Sequence, residues 1–399
     1  MRMHRILVVA ALLVAAVGCS RSKNYAAPLP AGQVALVKIT DPARIPDFRP
    51  AFANRTGLVE SMDRSLEYFS KPSSKKYFPY LDVTHERAVQ TLRDFKALIS
   101  AAASEDEFHR RIVQEYDVYE SVGCDQQGTV FFTGYFTPIC DASPTRTGRF
   151  QYPLYKLPVD IVRTPEGETR GRRTKSGGLD PYFTRAELEK NHHLDGTELV
   201  YLGDKLDAYL IHVQGSAILR LTNGKMMEVG YAGDNGYDYK SLRDMLVKDG
   251  KIQESTASLA TIKEYFKAHP EDLDFYTQQN DRFIFFVQNV GGPYGSIGVR
   301  VTPFRSIATD KREKPEPYPR GCIAFLQTKL PTRSADGVRK TDYSGFAMDQ
   351  DSGGAIRAAG RADLYVGVGP DAEVLAGHTA SEGRVYYIFV KEGLTKEPK

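Results

Sequence analysis

The strongest constraint on the fold is a change of hydrophobic period at Thr129. Before it, "GLVESMDRSLEYFSK" from Gly57 and "ERAVQTLRDFKALISAAA" from Glu86 repeat apolar residues every three or four positions, the period of an amphipathic helix. Ser104, with Glu107 three residues on, predicts the cap of a further helix, "FHRRIVQEYDVYESV", reaching Val122. From Thr129, "TVFFTGYFTPI" is aromatic and β-branched, the composition of a strand. A chain that switches period in this way must bury its helices against a sheet.

The rest of the chain reads the same way. "GETRGRRTKSGG" from Gly167 is basic and glycine-rich, which predicts an exposed loop, and Thr184 with Glu187 predicts a short capped helix. The stretch from Glu198 through "HVQGSAILRL" to "VGYAG" reads as strands, with Asn223-Gly224 as a hairpin turn. Ser241 caps a helix stopping at Gly250, and "SLATIKEYFKAHP" predicts a second that ends before Pro270. Strand texture resumes at "RFIFFVQ" (Arg282) and lasts to "RVYYIFV". The expected class is α+β, mainly β, with β-barrel cores and helices on the N-terminal side.

Arg2 and Arg5 precede a short apolar run that ends in Gly18-Cys19-Ser20, the pattern of an export signal. The run is too short for a permanent span. A Cys placed there resembles a lipoprotein signal, so residues 1–18 are expected to be removed and Cys19 to carry lipid. Ser20 in the next position points to the outer membrane, facing the periplasm. Residues 19–35, polar and with Pro28 and Pro30, read as a tether. No later apolar stretch is long enough to cross a membrane, and the remaining length suggests about two domains.

Charge is nearly balanced at +3, part of it in Arg2 and Arg5, which argues against nucleic acid as a partner. Apart from Cys19 there are Cys124, Cys140 and Cys322, of which Cys124 and Cys140 are the better candidates for a disulfide in an exported protein. His192 and His193 are adjacent, not one helical turn apart, and no Cys/His metal spacing occurs. With no Trp among 23 Tyr and 20 Phe, any sugar-stacking platform must be Tyr or Phe.

Several local motifs fail on inspection. "DQDSGG" from Asp349 starts like a calcium loop, but Gly353 takes its fifth place and Gly360 the twelfth, where a bidentate Glu is required. "GVGPDAE" from Gly367 keeps only the G-x-G of a dinucleotide loop, so tight turns explain its glycines better. Gly215-Ser216 lacks the second glycine of a nucleophile elbow. Acid chemistry remains. Asp351 follows an apolar run and precedes Gly353, Gly354, Ala355 and Ile356. Small neighbours would admit a polymer chain, and apolar ones would hold the carboxyl protonated so that it could donate to a glycosidic oxygen. The alternative is a turn whose aspartates cap backbone amides.

"TGYFTP" at Thr133, "IHVQGSAILRL" at Ile211, "VGYAGDNGYDYKSL" at Val229, "RFIFF" at Arg282, "RSIATD" at Arg305, "MDQDSGGAIRAAGRADLYVGVGPDAEVLAG" at Met348 and the closing "GRVYYI" occur in that order. This series resembles the membrane-bound lytic transglycosylase A (MltA) family, peptidoglycan-cleaving lipoproteins with a C-terminal "3D" domain named for three aspartates. It covers about residues 125–390. The resemblance implies a double-psi β-barrel domain from both ends of the chain, 36–139 and 280–392, and an inserted β-rich domain, 140–279, with the glycan in the groove between them. It implies Asp351 as catalytic, Asp310 and Asp363 as ionised supporting aspartates, and Thr133, Tyr135, Thr137, Gln214, Ser216 and Asn235 as groove-lining residues. Asp349 lies outside the pattern and is expected to be solvated. The loop "DKREKPEPYPRG" after Asp310 departs from the family's smoother turn, which bears on substrate preference.

The implied activity is lytic exotransglycosylation. Asp351 protonates the oxygen linking N-acetylmuramic acid to N-acetylglucosamine, and the muramic acid's own C6 hydroxyl closes a 1,6-anhydro ring. No cofactor or metal is implied. The partners are peptidoglycan strands and a membrane met through lipid, with a monomer expected and room for wall-remodelling protein partners. Two rivals stay open: a hydrolase using Asp310 or Asp363 as base, and a wall-binding lipoprotein without catalysis.

Overall fold

A computed structural model of the chain describes residues 23–165 and 167–394. The expected signal segment 1–18 and the lipidated Cys19 lie outside the described residues. The chain first runs through β1 (Leu36–Lys38), α1 (Leu58–Ser70), α2 (His85–Ala101), α3 (Glu105–Glu115), β2 (Tyr116–Ser121) and β3 (Val130–Thr137). Next come β4 (Ile139–Ser143), β5 (Tyr152–Tyr155), β6 (Ile161–Arg163), β7 (Thr169–Arg173), β8 (Leu179–Asp180), α4 (Arg185–Lys190) and β9 (Glu198–Leu202). These lead to α5 (Lys205–Gln214), β10 (Ser216–Leu221), β11 (Met226–Asp234), α6 (Leu242–Lys248), α7 (Leu259–Ala268), α8 (Leu273–Gln278) and β12 (Ile284–Asn289). The last part holds β13 (Ser306–Ala308), β14 (Ile323–Ser334), β15 (Gly337–Asp351), β16 (Arg361–Val368), α9 (Gly369–His378) and β17 (Ala380–Val390).

Strands β17, β14, β15, β13, β16 and β3 pair in that order, and β3 returns to pair with β17, closing a six-stranded barrel. The β3–β16 and β13–β15 pairs are parallel. A mainly β architecture with a closed barrel and helices beside it is what the sequence led us to expect. Helices α2 and α3 lie on the barrel wall, where the Phe95 and Phe346 rings meet at 4.7 Å and Phe108 also packs against Phe346. Burying each such aromatic contributes about 2 kcal/mol, so these helices owe their stability more to the wall than to their own propensity. A second sheet, ordered β12-β11-β10-β4-β9-β5, curls until Lys156, just past β5, bridges Phe286 in β12. It has its own apolar core around Leu154, Val200, Ile211, Leu219 and Phe286.

The structure corrects several local expectations. The helix expected to reach Val122 ends at Glu115, and Tyr116–Ser121 pairs with β17 and β1 instead. Its "YDVYES" alternates well enough for a strand, and a partner distant in sequence decided the matter. Within the stretch read as strands, Lys205–Gln214 is helical, capped by Asp204 accepting from the Asp207 amide at 2.9 Å and ended by Gly215 at φ +77°. The Gly367–Pro370 turn opens α9 rather than a plain loop, α8 was not foreseen, and the basic loop contains β7. Cys124, Cys140 and Cys322 are free thiols: Cys140 lies in β4 of the second sheet, whereas Cys124 follows β2 of the barrel sheet. Of the expected tether, residues 23–35 lie along the barrel: Tyr25 stacks on Phe131 at 4.6 Å and its hydroxyl donates to Glu382 at 2.7 Å. Among the described residues no helix is long and apolar enough to cross a membrane.

Candidate active site

A cleft of about 820 Å³ lies where the barrel faces the second sheet. The barrel side presents Tyr135, Asp351 to Ala355 and Asp363, and the other side presents Gln214, Ser216, Tyr231, Tyr239 and Arg282.

Asp351 is the last residue of β15, and it is aimed by an irregularity in the ladder. Against β13 the register steps from Ile307 opposite Asp349 to Ala308 opposite Asp351, so Gln350 is an extra residue. A bulge of this kind redirects the side chains on either side of it. The Gln350 amide turns to helix α1, donating to the Ser61 carbonyl at 2.7 Å and to Ser65 Oγ at 2.9 Å, while Asp351 faces the cleft. Its Oδ2 accepts from the Tyr135 hydroxyl at 2.8 Å, and its Oδ1 from the Ser296 and Ser352 amides, both at 2.8 Å. Those donors favour the carboxylate, but removal from water disfavours it more, and the group is pushed up to about 6. A carboxyl that titrates there can serve as an acid and then as a base near neutral pH.

The other expected residues separate into groups. Tyr135, Gln214, Ser216 and Asp363 line the cleft. Gln214 Oε1 also accepts from the Phe136 amide at 3.1 Å, tying α5 to β3. Asp363 was expected to be ionised through hydrogen bonds. Burial pushes it up to about 6, outweighing Arg361 and a hydrogen bond from Thr133, which do favour its carboxylate, and its Oδ1 has no hydrogen-bond partner within the protein. Thr133 is therefore a support behind Asp363, and its Oγ1 also accepts from Arg361 at 3.1 Å. Thr137 is buried, its hydroxyl shared with Tyr365 at 3.1 Å and Ser216 at 3.3 Å. Asn235 is also buried: its amide donates to the Phe183 and Asp281 carbonyls, and its oxygen accepts from the Phe283 amide at 2.8 Å. Asp310 uses both oxygens on backbone, accepting from the Arg312 amide at 2.8 Å and the Ala358 amide at 2.7 Å.

Two features escaped sequence reasoning. Asp349, expected in solvent, is fully buried and paired with Lys311 at 2.7 Å. Arg282 opens the noted "RFIFF" series but was given no part. Its guanidinium donates to Asp234 at 2.6 Å and to the Tyr237 carbonyl at 3.0 Å, and it packs over Gly354, where a Cβ would stand 3.1 Å from Nε. Gly354 thus makes room for an arginine beside the acid. Among the described residues no group of three or more His, Cys, Asp or Glu is placed to hold a metal ion.

Comparison with known proteins adds independent findings. The family model described as the MltA specific insert domain matches residues 131–287, and the one described as the 3D domain matches residues 305–389. The membrane-bound lytic murein transglycosylase A of Vibrio cholerae serotype O1 is 30% identical over 286 residues, covering 69% of this chain and 70% of that protein. The protein of the same name from Escherichia coli K12 is 29% identical over 281 residues, with the same coverage of 69% and 70%. Among solved structures, a membrane-bound lytic murein transglycosylase from Agrobacterium tumefaciens superposes with a TM-score of 0.73 at 21% identity, covering 89% of this chain and 98% of that one. E. coli MltA with bound chitohexaose gives 0.69 at 22% identity, covering 92% and 99%. At such identities the superpositions speak to the fold.

Proposed function

This chain belongs to the membrane-bound lytic murein transglycosylase A family, and from that premise we propose that it is a peptidoglycan lyase using Asp351 as its single acid and base. The observation that carries the proposal is the Asp351 carboxyl itself, facing a cleft of about 820 Å³, held by three donors and titrating near 6. In the proposed step Asp351 gives its proton to the bridging oxygen between N-acetylmuramic acid and N-acetylglucosamine. The bond from that oxygen to C1 of the muramic acid breaks, and the same sugar's C6 hydroxyl oxygen bonds to C1. The Asp351 carboxylate takes the hydroxyl's proton, which leaves a 1,6-anhydro end and restores the acid. Intramolecular attack supplies much of the rate through proximity.

Tyr135 and the two amides hold the carboxylate that exists between these transfers, and Arg282 fills the floor beneath Gly354. Gln214, Ser216 and the cleft tyrosines 231 and 239 offer hydrogen bonds and ring faces to sugars. In the same reading the barrel and the inserted sheet are the two domains, Cys19 carries the lipid, and the protein faces the periplasm from the outer membrane as a monomer acting on strand ends. Relatives named as membrane-bound support the location, and a relative solved with chitohexaose supports a glycan in the cleft.

The test is mass spectrometry of fragments released from peptidoglycan by the purified protein and by Asp351→Asn. Anhydro ends, lighter by one water than reducing ends, should dominate and should vanish with the variant. Reducing ends would replace the reading with hydrolysis, for which Asp363, sharing the cleft, is the available second carboxyl. Binding without release by either protein would make the cleft a lectin site.

A further inference from the structure

Asp349, two residues from the acid, is the least expected group in the molecule. Its Oδ2 accepts from Lys311 Nζ at 2.7 Å, from the Thr309 hydroxyl at 2.8 Å and from the Tyr387 hydroxyl at 2.9 Å. Lys311 Nζ also donates to the Thr309 hydroxyl at 2.6 Å and to the Tyr318 carbonyl at 3.4 Å. The side chains of Lys311 and Asp349 are 4% and 0% exposed. Thr309 serves both sides: its hydroxyl bridges the pair, while its backbone amide donates to the Asp351 carbonyl at 3.3 Å. The Asp349 backbone is clamped too, its amide donating to the Cys322 carbonyl at 3.0 Å and its carbonyl accepting from the Gly321 amide at 2.7 Å.

We propose that Lys311 and Asp349 are positioning residues for Asp351, a buried ion pair that pins the β15 bulge through Thr309 and so sets where the acid's carboxyl stands in the cleft. The inference rests on the reading of Asp351 as the acid. A strand alternates faces with a period of two, so residues 349 and 351 of a regular β15 would share one face. They do not share one here: Asp349 is drawn into a buried polar cluster with Lys311, Thr309 and Tyr387, and Asp351 is left in the cleft, with Gln350 taken up by α1. The pair supplies the pull on Asp349. A buried ion pair is weak evidence of net stability, since desolvation offsets its attraction, whereas its directional bonds serve well to select one arrangement.

The pair also acts on Asp351 through charge. The groups around Asp351 are Tyr135 from β3, Asp363 and Tyr365 from β16, and the Ser296 and Ser352 amides, while Asp349, turned to the other side of its own strand, still raises it through charge. Those facing Asp349 are Lys311, Thr309, Tyr387, Tyr318 and Cys322, and burial pushes Asp349 itself upward against Lys311.

The test uses the full chain in detergent, with aspartate labelled by carbon-13 at the side-chain carboxyl and the Asp351 signal identified by its loss in Asp351→Asn. The variants are Lys311→Met, the double variant Asp349→Asn with Lys311→Met, Thr309→Val and Thr309→Ser. Lys311→Met alone strands a buried carboxyl and should melt early, whereas the double variant should recover a melting temperature near the parent's. In the double variant the Asp351 titration midpoint should nonetheless fall below the parent's. Its kcat should drop roughly tenfold to a hundredfold with KM nearly unchanged, the effect of a displaced reacting group. Thr309→Ser should keep the parent's midpoint, and Thr309→Val should move it. A double variant with the parent's Asp351 midpoint overturns the proposal, whether or not the protein cleaves peptidoglycan. A moved midpoint in a protein that releases no fragments would keep the positioning role and sink the lyase reading instead.

Discussion

Asp351 accepts three hydrogen bonds and still holds its proton to about pH 6. Each donor should lower the group, since a hydrogen bond to a charged acceptor contributes about 1.5–3 kcal/mol. Enclosure can raise a carboxyl by about three to five pH units, comparable with what three donors can supply, and here enclosure is the larger of the two. As the first step needs the protonated form, kcat should fall as pH rises through about 6. Tyr135→Phe removes a donor to the carboxylate, so the midpoint of that fall should move upward by about one pH unit. A downward move would show that the hydroxyl does not hold the charged form. The sequence pointed to Asp351 because small and apolar neighbours surround it. It could not show that Asp349 is buried or that Asp363 is kept from ionising early, since both depend on what other strands bring against them.

Among elements, the loop from Val290 to Arg300 matters most to the acid, because it carries the Ser296 amide. It reaches the acid only by lying against β15: a Cβ on Gly295 would stand 2.3 Å from the Gln350 carbonyl oxygen. Gly295→Ala should therefore lift the loop and cost activity at least tenfold, about 1.4 kcal/mol of barrier, while the barrel still folds. Parent-like kcat in that variant would remove the loop from the account. Nothing in "GGPYGSIG" announced this contact, as glycines there read equally well as turns. Helix caps were easier to read: Thr184 with Glu187 forms a complete capping box, and Ser104, Ser241 and Ser258 each accept from an amide three residues on. Helix α5 was missed although Asp204 and Gly215 bracket it, because its flanking strands are so strongly β in composition that they carried the middle with them. Strand β2 erred the other way, continuing a helical rhythm that only pairing with β17 interrupts.

At the scale of the whole molecule the cleft exists because two sheets face each other, and the ties between the two parts include Gln214 to the Phe136 amide, Lys263 to Glu373 and the ion pairs of Asp238. Asp238, beyond β11, meets Arg357 at 2.6 Å and Arg312 at 3.1 Å on the barrel side, with its side chain 81% exposed. Exposed pairs contribute about 0–1 kcal/mol, so Asp238→Asn should leave the melting temperature almost unchanged and any effect on activity should fade with salt. A large loss of stability would mean that this contact, rather than the strand connections between β3 and β4, joins the two parts. The family resemblance carried by the motifs implied a barrel from both ends, and the shift of period at Thr129 marked where sheet begins. Those signals are local: periodicity, caps and turn residues act over a few positions and survive in one dimension. Closure of β3 onto β17, the bulge that turns Asp351 outward and the pairing of Lys311 with Asp349 join residues far apart in sequence. Their energies come from desolvation and from contacts that exist only once the chain has collapsed. Sequence alone therefore pointed to Asp351 as the proposed acid, to most of the elements and to the class of fold, while the proton affinity and aim of that carboxyl were decided by the assembled barrel.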